Sequence, residues 1–562
     1  MHRAANSNIL AFRHTPDSLA LTSVCSSHRR PLPAMLKALL LVALSASCLV
    51  PVANGSLGPR AQLTVANKDI APDGYKRSSV LVNGQLPAPL IRAEKGSRYL
   101  LNVVNNLTDD TMSRSTGVHW HGIFNKGTPY ADGTPIITQC PITPEKSFLY
   151  DFTVLDEAGT FWYHSHFRTQ YCDGLRGPLV IYDPNDPHKA LYDVDDESTV
   201  MTLGDWYHKP SPAIVKNGHP ESNSTLINGK GRYPGGPKVP LAVVNVQRYK
   251  RYRIRLVSIS CDPNFEFEID GHRLTIIEAD GHSTHPYTVD SLTIFAAQRY
   301  SFILNADQPV GNYWIRAMPN HGASGLDKSF AGGINSAILR YKGAPQDDPT
   351  SSRKRGGEHL QEAKLRPMMD ARAPGKPYPG GADVNLNLDV ALRKKDDRFT
   401  VNGASFEDPD VPVLLQILSG ARSAKELLPE GSVYPLPRNK VVEITFPITE
   451  DNIENPHPFH MHGHVFHVIK SAGNDSEHNY IDPPKRDTVS LGHAGSNVTI
   501  RFVSNNPGPW ILHCHINWHL ERGLAVVLAD SIDDFTNKTK YSDTWKELCP
   551  TYNKLPSSMK HP

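Results

Sequence analysis

Five His-x-His pairs crowd into four short regions of this 562-residue chain, and they constrain its fold more than any other feature. The pairs are His119/His121, His164/His166, His460/His462 (running on to His464 and preceded by His457) and His513/His515. The last pair brackets Cys514 and is followed by His519. A histidine fraction near 5% produces about one such pair by chance. Soft sulfur with many imidazoles suits copper better than a hard cation. Zinc also takes imidazole and thiolate, but does not explain why so many sets are required. Eleven candidate ligands are too many for one metal. They divide between the first third and the last quarter of the chain, so the site is expected at an interface between terminal domains, with metal part of the folding linkage.

On an extended strand alternate residues share a face. His119 and His121 therefore point together while Trp120 faces the opposite packing layer, and Trp162-Tyr163-His164-Ser165-His166 repeats the arrangement. Short alternating runs fill much of the chain, among them residues 253–257, 265–269, 301–304, 313–315 and 441–446, the last expected to end at Pro447. Many short strands between turn residues predict β-sandwiches or barrels. The nearest alternative, an α/β enzyme, needs crossover helices that are not visible. Long amphipathic helical runs are scarce, and ordinary helices are expected near 423–428 and 542–548. A polar, charge-rich stretch from 346 to 381, most exposed around Ser351-Ser352-Arg353-Lys354-Arg355, reads as a linker or long surface loop. The expected organisation is an extension with a signal over 1–54, domains over 55–186 and 187–345, and a linker plus third domain over 346–562.

The only strong apolar run begins after Met35-Leu36-Lys37 and has the charged, apolar and small-residue parts of a secretory signal. It is too short for a membrane anchor. Translation is expected to start at Met35; the alternative is a long targeting extension. Cleavage near Asn54 removes Arg3, Arg13, Arg29, Arg30, Lys37 and Asp17, taking 59 basic and 57 acidic side chains to 54 and 56. The secreted chain then carries a net charge of −2, which calls for no polyanionic partner, and no nucleic-acid motif is present. Cleavage also removes Cys25 and Cys48. Of the remaining cysteines, Cys514 has metal to bind, and Cys140, Cys172, Cys261 and Cys549 can form two disulfides in an oxidising compartment. Sequons at Asn106, Asn223, Asn474, Asn497 and Asn537 favour an extracellular glycoprotein.

From about Gly58 to Tyr552 the chain resembles fungal, basidiomycete-type laccases of the multicopper oxidase family. The resemblance is carried by His119-Trp120-His121-Gly122, His164-Ser165-His166, His457-Pro458-Phe459-His460-Met461-His462-Gly463-His464, and His513-Cys514-His515 with His519. Cys172-Asp173-Gly174, Cys261-Asp262-Pro263-Asn264 and Leu548-Cys549-Pro550-Thr551-Tyr552 extend it. It implies an all-β chain of three cupredoxin-like Greek-key β-sandwich domains holding four copper ions. Cys514, His457 and His519 would hold the type 1 copper. His119 and His460 would hold the type 2 copper. One type 3 copper would take His121, His164 and His515, and the other His166, His462 and His513. The resemblance also implies pairings of Cys172 with Cys261 and of Cys140 with Cys549.

Leu524 falls at the family's axial position, where leucine withholds a donor and favours a higher potential. Asp132 matches a carboxylate placed near the trinuclear cluster, with proton delivery or tuning of a bound water as its role; a turn aspartate before Gly133 is the plainer reading. Asp262 resembles the substrate-pocket carboxylate that accepts a phenolic proton, with an Asp-Pro turn as its plainer reading. His519 is the expected electron doorway. Asn517 departs from the aspartate common in this family. His464 is expected to pack, and His467 to sit in a loop or solvent. The function implied is a secreted, monomeric laccase taking phenols, aromatic amines and dioxygen. An Fe(II) or ascorbate oxidase, or a nonenzymatic copper-binding protein, are the alternatives; no methionine-rich segment supports cuprous binding.

Overall fold

The computed structural model describes residues 55–215, 220–320, 330–353, 356–448, 456–473, 477–493, 495–534 and 541–560. The expected start at Met35, the signal and its cleavage point, Lys354-Arg355, and the sequons at Asn474 and Asn537 lie outside them. Asn106, Asn223 and Asn497 stand exposed.

Period-two burial builds the architecture. Arg98–Asn106 alternates buried and open residues along its length, so one face of the strand enters a core and the other stays wet. It lies in a four-stranded sheet with Arg60–Ile70, Arg77–Val82 and Ser147–Thr153. A second sheet of Ile91–Glu94, Arg176–Tyr182, Gly159–Ser165 and Val118–His121 closes over it. Leu63, Tyr99, Leu101, Phe148, Trp120 and Tyr163 fill the space between. A six-stranded and a five-stranded sheet form a second sandwich over residues 200–341. Two five-stranded sheets form the third, and a separate hairpin of Val390–Arg393 and Arg398–Val401 lies beside them. Each sandwich mixes parallel and antiparallel pairs. Arg60–Ile70 and Arg98–Asn106, for example, run parallel, so the chain must cross between them rather than turn in a hairpin.

One expectation about local structure needs correction. Residues 423–428 form turns, not a helix, because Glu426 folds back to accept from the N–H groups of Arg422 and Ser423. The helix lies earlier, at Val413–Leu418, following Pro412 and burying Val413, Leu414 and Ile417. The stretch around Ser351 is a surface loop as expected, with Ser352 and Arg353 exposed, and two side chains tie it to the second sandwich. Ser351 donates to Asp270 at 2.7 Å and Arg353 pairs with Glu268 at 2.6 Å. The C-terminal helix Asp543–Asn553 begins with Ser542 accepting from the Trp545 N–H. Its Trp545, Leu548 and Tyr552 pack into the first sandwich, where Cys549 is bonded to Cys140 across 409 residues. A second disulfide joins Cys172 to Cys261.

Buried ion pairs join the second and third sandwiches at Arg299–Asp487 and Arg486–Asp280, and others lie within the second. Burial alone would raise the Glu278 carboxyl, but Arg253 and Arg255 outweigh it and hold it below its ordinary range. Asp186 is lowered the same way, against burial, by Arg253. Burial pushes the His282 imidazole down to about 3 from its ordinary 6.5. All three act in one direction: the unfolded chain binds protons that the folded chain refuses, so stability falls as pH falls. The melting temperature of the copper-loaded protein is expected to drop steadily from about pH 6.5 to about pH 3. A flat profile over that window in scanning calorimetry refutes this.

Candidate metal centre

Strand register brings the distant histidines together. Val118–His121 pairs antiparallel with Gly159–Ser165, placing His119 opposite His164. Pro458–Met461 pairs with Gly508–Cys514, placing His460 opposite His513 and Phe459 opposite Cys514. Directly opposite residues share a sheet face. Alternation then separates the chemistry of adjacent residues: Leu512, Cys514 and Ile516 enter the core of the third sandwich, while His513 and His515 turn the other way. Trp120 packs against Tyr150 and Phe152 behind His119 and His121.

The result is one mixed trio and a cluster of eight histidines. In the trio, Cys514 Sγ lies 3.4 Å from His457 Nδ1 and 3.7 Å from His519 Nδ1, and the two nitrogens are 3.0 Å apart. The other groups whose ligand atoms converge are His119/His121/His460, His121/His164/His515 and His166/His462/His513. Asp132 joins His119 and His462 in a further group. Nine of the eleven candidate ligands are buried; His166 and His519 are half-buried, one in each site.

The donor set fits copper. In the cluster seven of the eight rings turn one nitrogen to a protein group, which is how a metal-binding imidazole is oriented, and His513 Nε2 lies 3.2 Å from His462 Nε2 and 3.4 Å from His166 Nε2. Nδ1 of His119, His164, His460 and His513 faces the backbone carbonyls of Asp132, Ser165, Asp487 and Cys514, each at 2.9 Å. His462 Nδ1 faces Asp132 Oδ2 at 2.9 Å, and His515 Nδ1 faces the Tyr171 hydroxyl at 3.3 Å. The opposite atoms, Nε2 of His119, His164, His460 and His515, are buried without a hydrogen-bond partner. His121 is reversed: its Nε2 faces Asp487 Oδ1 at 3.3 Å and its Nδ1 is the orphan. Such orphans are costly unless a ligand meets them. Burial drives the cluster imidazoles down, His166 to about 3 and His121, His164, His462, His513 and His515 well below their ordinary range. They are therefore neutral donors across ordinary pH. Burial also pushes the Cys514 thiol well up, so a bound cation is what would favour its thiolate.

Multicopper oxidase profiles match residues 64–186, 197–344 and 406–534, together most of the chain. The chain belongs to the multicopper oxidase family. Laccase-4 of Trametes villosa is 54% identical over 90% of this oxidase and 96% of its own length. A laccase of Pycnoporus cinnabarinus is 55% identical over 91% and 97%. Among solved structures, the laccase from Botrytis aclada superposes with a TM-score of 0.78 at 31% identity, covering 89% of this chain and 92% of that one. Fet3p, described as a multicopper oxidase that functions in iron import, superposes at 0.75 with 27% identity, covering 88% and 95%.

The oxidase places the remaining sequence candidates as follows. Leu524 is fully buried beside the trio: its carbonyl accepts from the Cys514 N–H and its N–H donates to the His519 carbonyl, both at 3.1 Å. Asp262 is half-buried on a loop pinned by Asp205, whose carboxylate accepts from the N–H groups of Cys261 at 2.9 Å and Asp262 at 3.2 Å. The Asn517 N–H donates to the Cys261 carbonyl at 2.8 Å, tying that loop to the short helix Asn517–Glu521 that carries His519. His464 packs against Phe502, its Nε2 3.0 Å from Asp530. His467 Nε2 faces the Asp370 carbonyl at 3.1 Å.

Sequence reasoning missed Asp487. Burial opposes its charge, but Arg299 outweighs burial and holds its carboxyl well below the ordinary range. It contacts His121 across 366 residues. No spacing relation to the histidines marks it, since only the register of Thr488–Ser490 beside Pro458–Met461 puts it there.

Proposed function

We propose that this oxidase is a secreted laccase, oxidising phenols and aromatic amines in one-electron steps coupled to four-electron reduction of dioxygen to water. Cys514, His457 and His519 would hold a type 1 copper. His119 and His460 would hold a type 2 copper, and His121/His164/His515 and His166/His462/His513 the type 3 pair. Copper bound there supplies the one-electron redox chemistry, while the protein sets geometry, potential and access.

One observation carries the reading. A trio with one half-buried imidazole, His519, is joined through the adjacent residues 513–515 to a separate eight-histidine cluster. Donor and dioxygen therefore need never meet. His519 lies beside the buried Phe399 ring, at 4.6 Å between centroids, which packs the half-buried imidazole in place. Asp262, on the loop tied to the His519 helix, accepts the phenolic proton as the electron leaves. Asp132, held between His462 and the Thr134 hydroxyl at 2.9 and 2.7 Å, is placed to hold or pass a proton at the cluster. A cavity of about 440 Å³ lined by Thr134, Arg168, Asp408 and Glu521 reaches His166, giving small molecules a path to the cluster. Among the described residues no helix is long and apolar enough to cross a membrane. Secretion, supported by the signal-like N-terminal sequence, and a monomeric state complete the proposal.

Oxygen uptake by the copper-loaded protein tests the reading, with 2,6-dimethoxyphenol, Fe(II) and ascorbate as parallel donors and peroxide assayed. Laccase predicts about four phenols oxidised per dioxygen with little peroxide. Uptake confined to Fe(II) or ascorbate moves the protein to the corresponding oxidase. Leu524→Met supplies a thioether beside the trio at nearly constant volume, so the fold is expected to tolerate it. Axial donation should lower the type 1 potential by on the order of 60 mV, a tenfold change in a one-electron equilibrium constant. An unchanged potential in redox titration rejects the axial assignment.

A further inference from the structure

The middle sandwich supplies no imidazole or thiolate to these groups, yet one of its side chains reaches the cluster's supporting shell. Arg299 opens the strand Arg299–Asn305 and is fully buried. Its Nη1 and Nη2 donate to Asp487 Oδ1 at 2.7 Å and Oδ2 at 2.6 Å. Nε donates to the Thr160 carbonyl at 3.0 Å, and Nη1 also to the Ala297 carbonyl at 3.1 Å. The guanidinium thus bridges all three sandwiches and cannot rotate without losing charged hydrogen bonds. A planar fork gripping both carboxylate oxygens fixes the plane of its partner, which a lysine cannot do.

Asp487 transmits that grip. Its Oδ1 meets His121 Nε2 at 3.3 Å and accepts from the Thr488 hydroxyl at 2.9 Å. Its backbone carbonyl meets His460 Nδ1 at 2.9 Å. His121 and His460 stack at 3.6 Å between centroids, so one residue orients both rings. His121 is the ring turned opposite to its neighbours, with Nδ1 left free, and Asp487 is the group that faces the turned-away nitrogen. The glycine of the His-Trp-His-Gly motif reports the same crowding. A Cβ on Gly122 would lie 2.8 Å from Arg299 Nη2 and 2.9 Å from Asp487 Oδ2.

We propose that Arg299 is a positioning residue for the metal cluster: by clamping Asp487 it fixes the ring orientation and tautomer of His121 and His460, so the ligand-free middle domain controls cluster geometry. This rests on the reading that those two histidines hold copper.

The test compares copper-loaded wild type, Arg299→Gln and Arg299→Lys, with Arg316→Gln as a control. Arg316 is likewise buried and bidentate, to Asp270 at 2.7 Å on both arms, within the middle sandwich. Copper content, the type 2 paramagnetic resonance signal, the blue absorption and the melting temperature are read on each. Arg299→Gln should lose cluster copper about 10–100-fold more readily and shift the type 2 signal, with the blue absorption at Cys514 kept. Arg299→Lys, which retains the charge and so protects the fold, should shift the signal in the same direction but less. Arg316→Gln should change only the melting temperature. The proposal is overturned if both Arg299 variants keep wild-type copper content and signal and lose only stability, or if Arg316→Gln shifts the signal equally. Failure of wild type to take up cluster copper would instead remove the ligand assignment itself, and the wild-type arm reports that separately.

Discussion

Cys514→Ser is expected to extinguish the blue absorption and cut phenol-dependent oxygen uptake by roughly 10³-fold or more, the scale of losing an essential catalytic group. Serine keeps the size of the buried side chain and replaces a soft thiolate by a hard hydroxyl that does not ionise at ordinary pH. The core around Leu512, Ile516 and Leu524 should therefore persist, with the melting temperature lowered only by the binding energy of the lost ion. The cluster imidazoles are untouched, because His513 and His515 face away from Cys514's side of the strand. Copper content should fall by about a quarter, from four ions toward three, rather than to zero. Metal analysis with oxygen-uptake assays decides the matter. Retained phenol-dependent turnover would mean that electrons enter the cluster without the Cys514 trio.

Asp262→Asn should lower kcat/KM for 2,6-dimethoxyphenol by about 10²-fold, the lower range for removal of a general base. Asparagine is nearly isosteric and keeps the loop's backbone bonds to Asp205, but it cannot take the phenolic proton. Ferrocyanide, a donor with no ionising O–H, should be oxidised at close to the wild-type rate. That contrast separates proton acceptance from electron entry, which both donors share through His519. Equal losses with the two donors would assign Asp262 a purely architectural part in holding the His519 helix.

Much of the centre was legible in sequence because its determinants are local. The identity of a ligand is a property of one residue, and the period of a strand needs only a few neighbours. His119/His121 on one face with Trp120 behind them follows from that period alone, and the observed turn of Cys514 away from His513 and His515 obeys it. The cysteines that bond were narrowed to four by counting, although their partners came only through resemblance. Residues 423–428 misled because a Ser-x-x-Glu pattern also closes a turn when the donors it satisfies are those of Arg422 and Ser423.

What tertiary structure alone decided is the set of contacts between residues with no shared spacing. Asp487 approaches His121 across 366 residues and Arg299 across 188, and neither carries a mark in the chain. Their value arises only where three sandwiches meet and exclude water, since a guanidinium–carboxylate pair on the surface is worth little and the same pair buried beside an imidazole fixes its geometry. Which side chains could bind metal, and which strand face His119 and His121 share, can be read from the residues in order. Only the packing of the domains decided which nitrogen each ring turns to the protein, because that depends on partners brought together by long-range register.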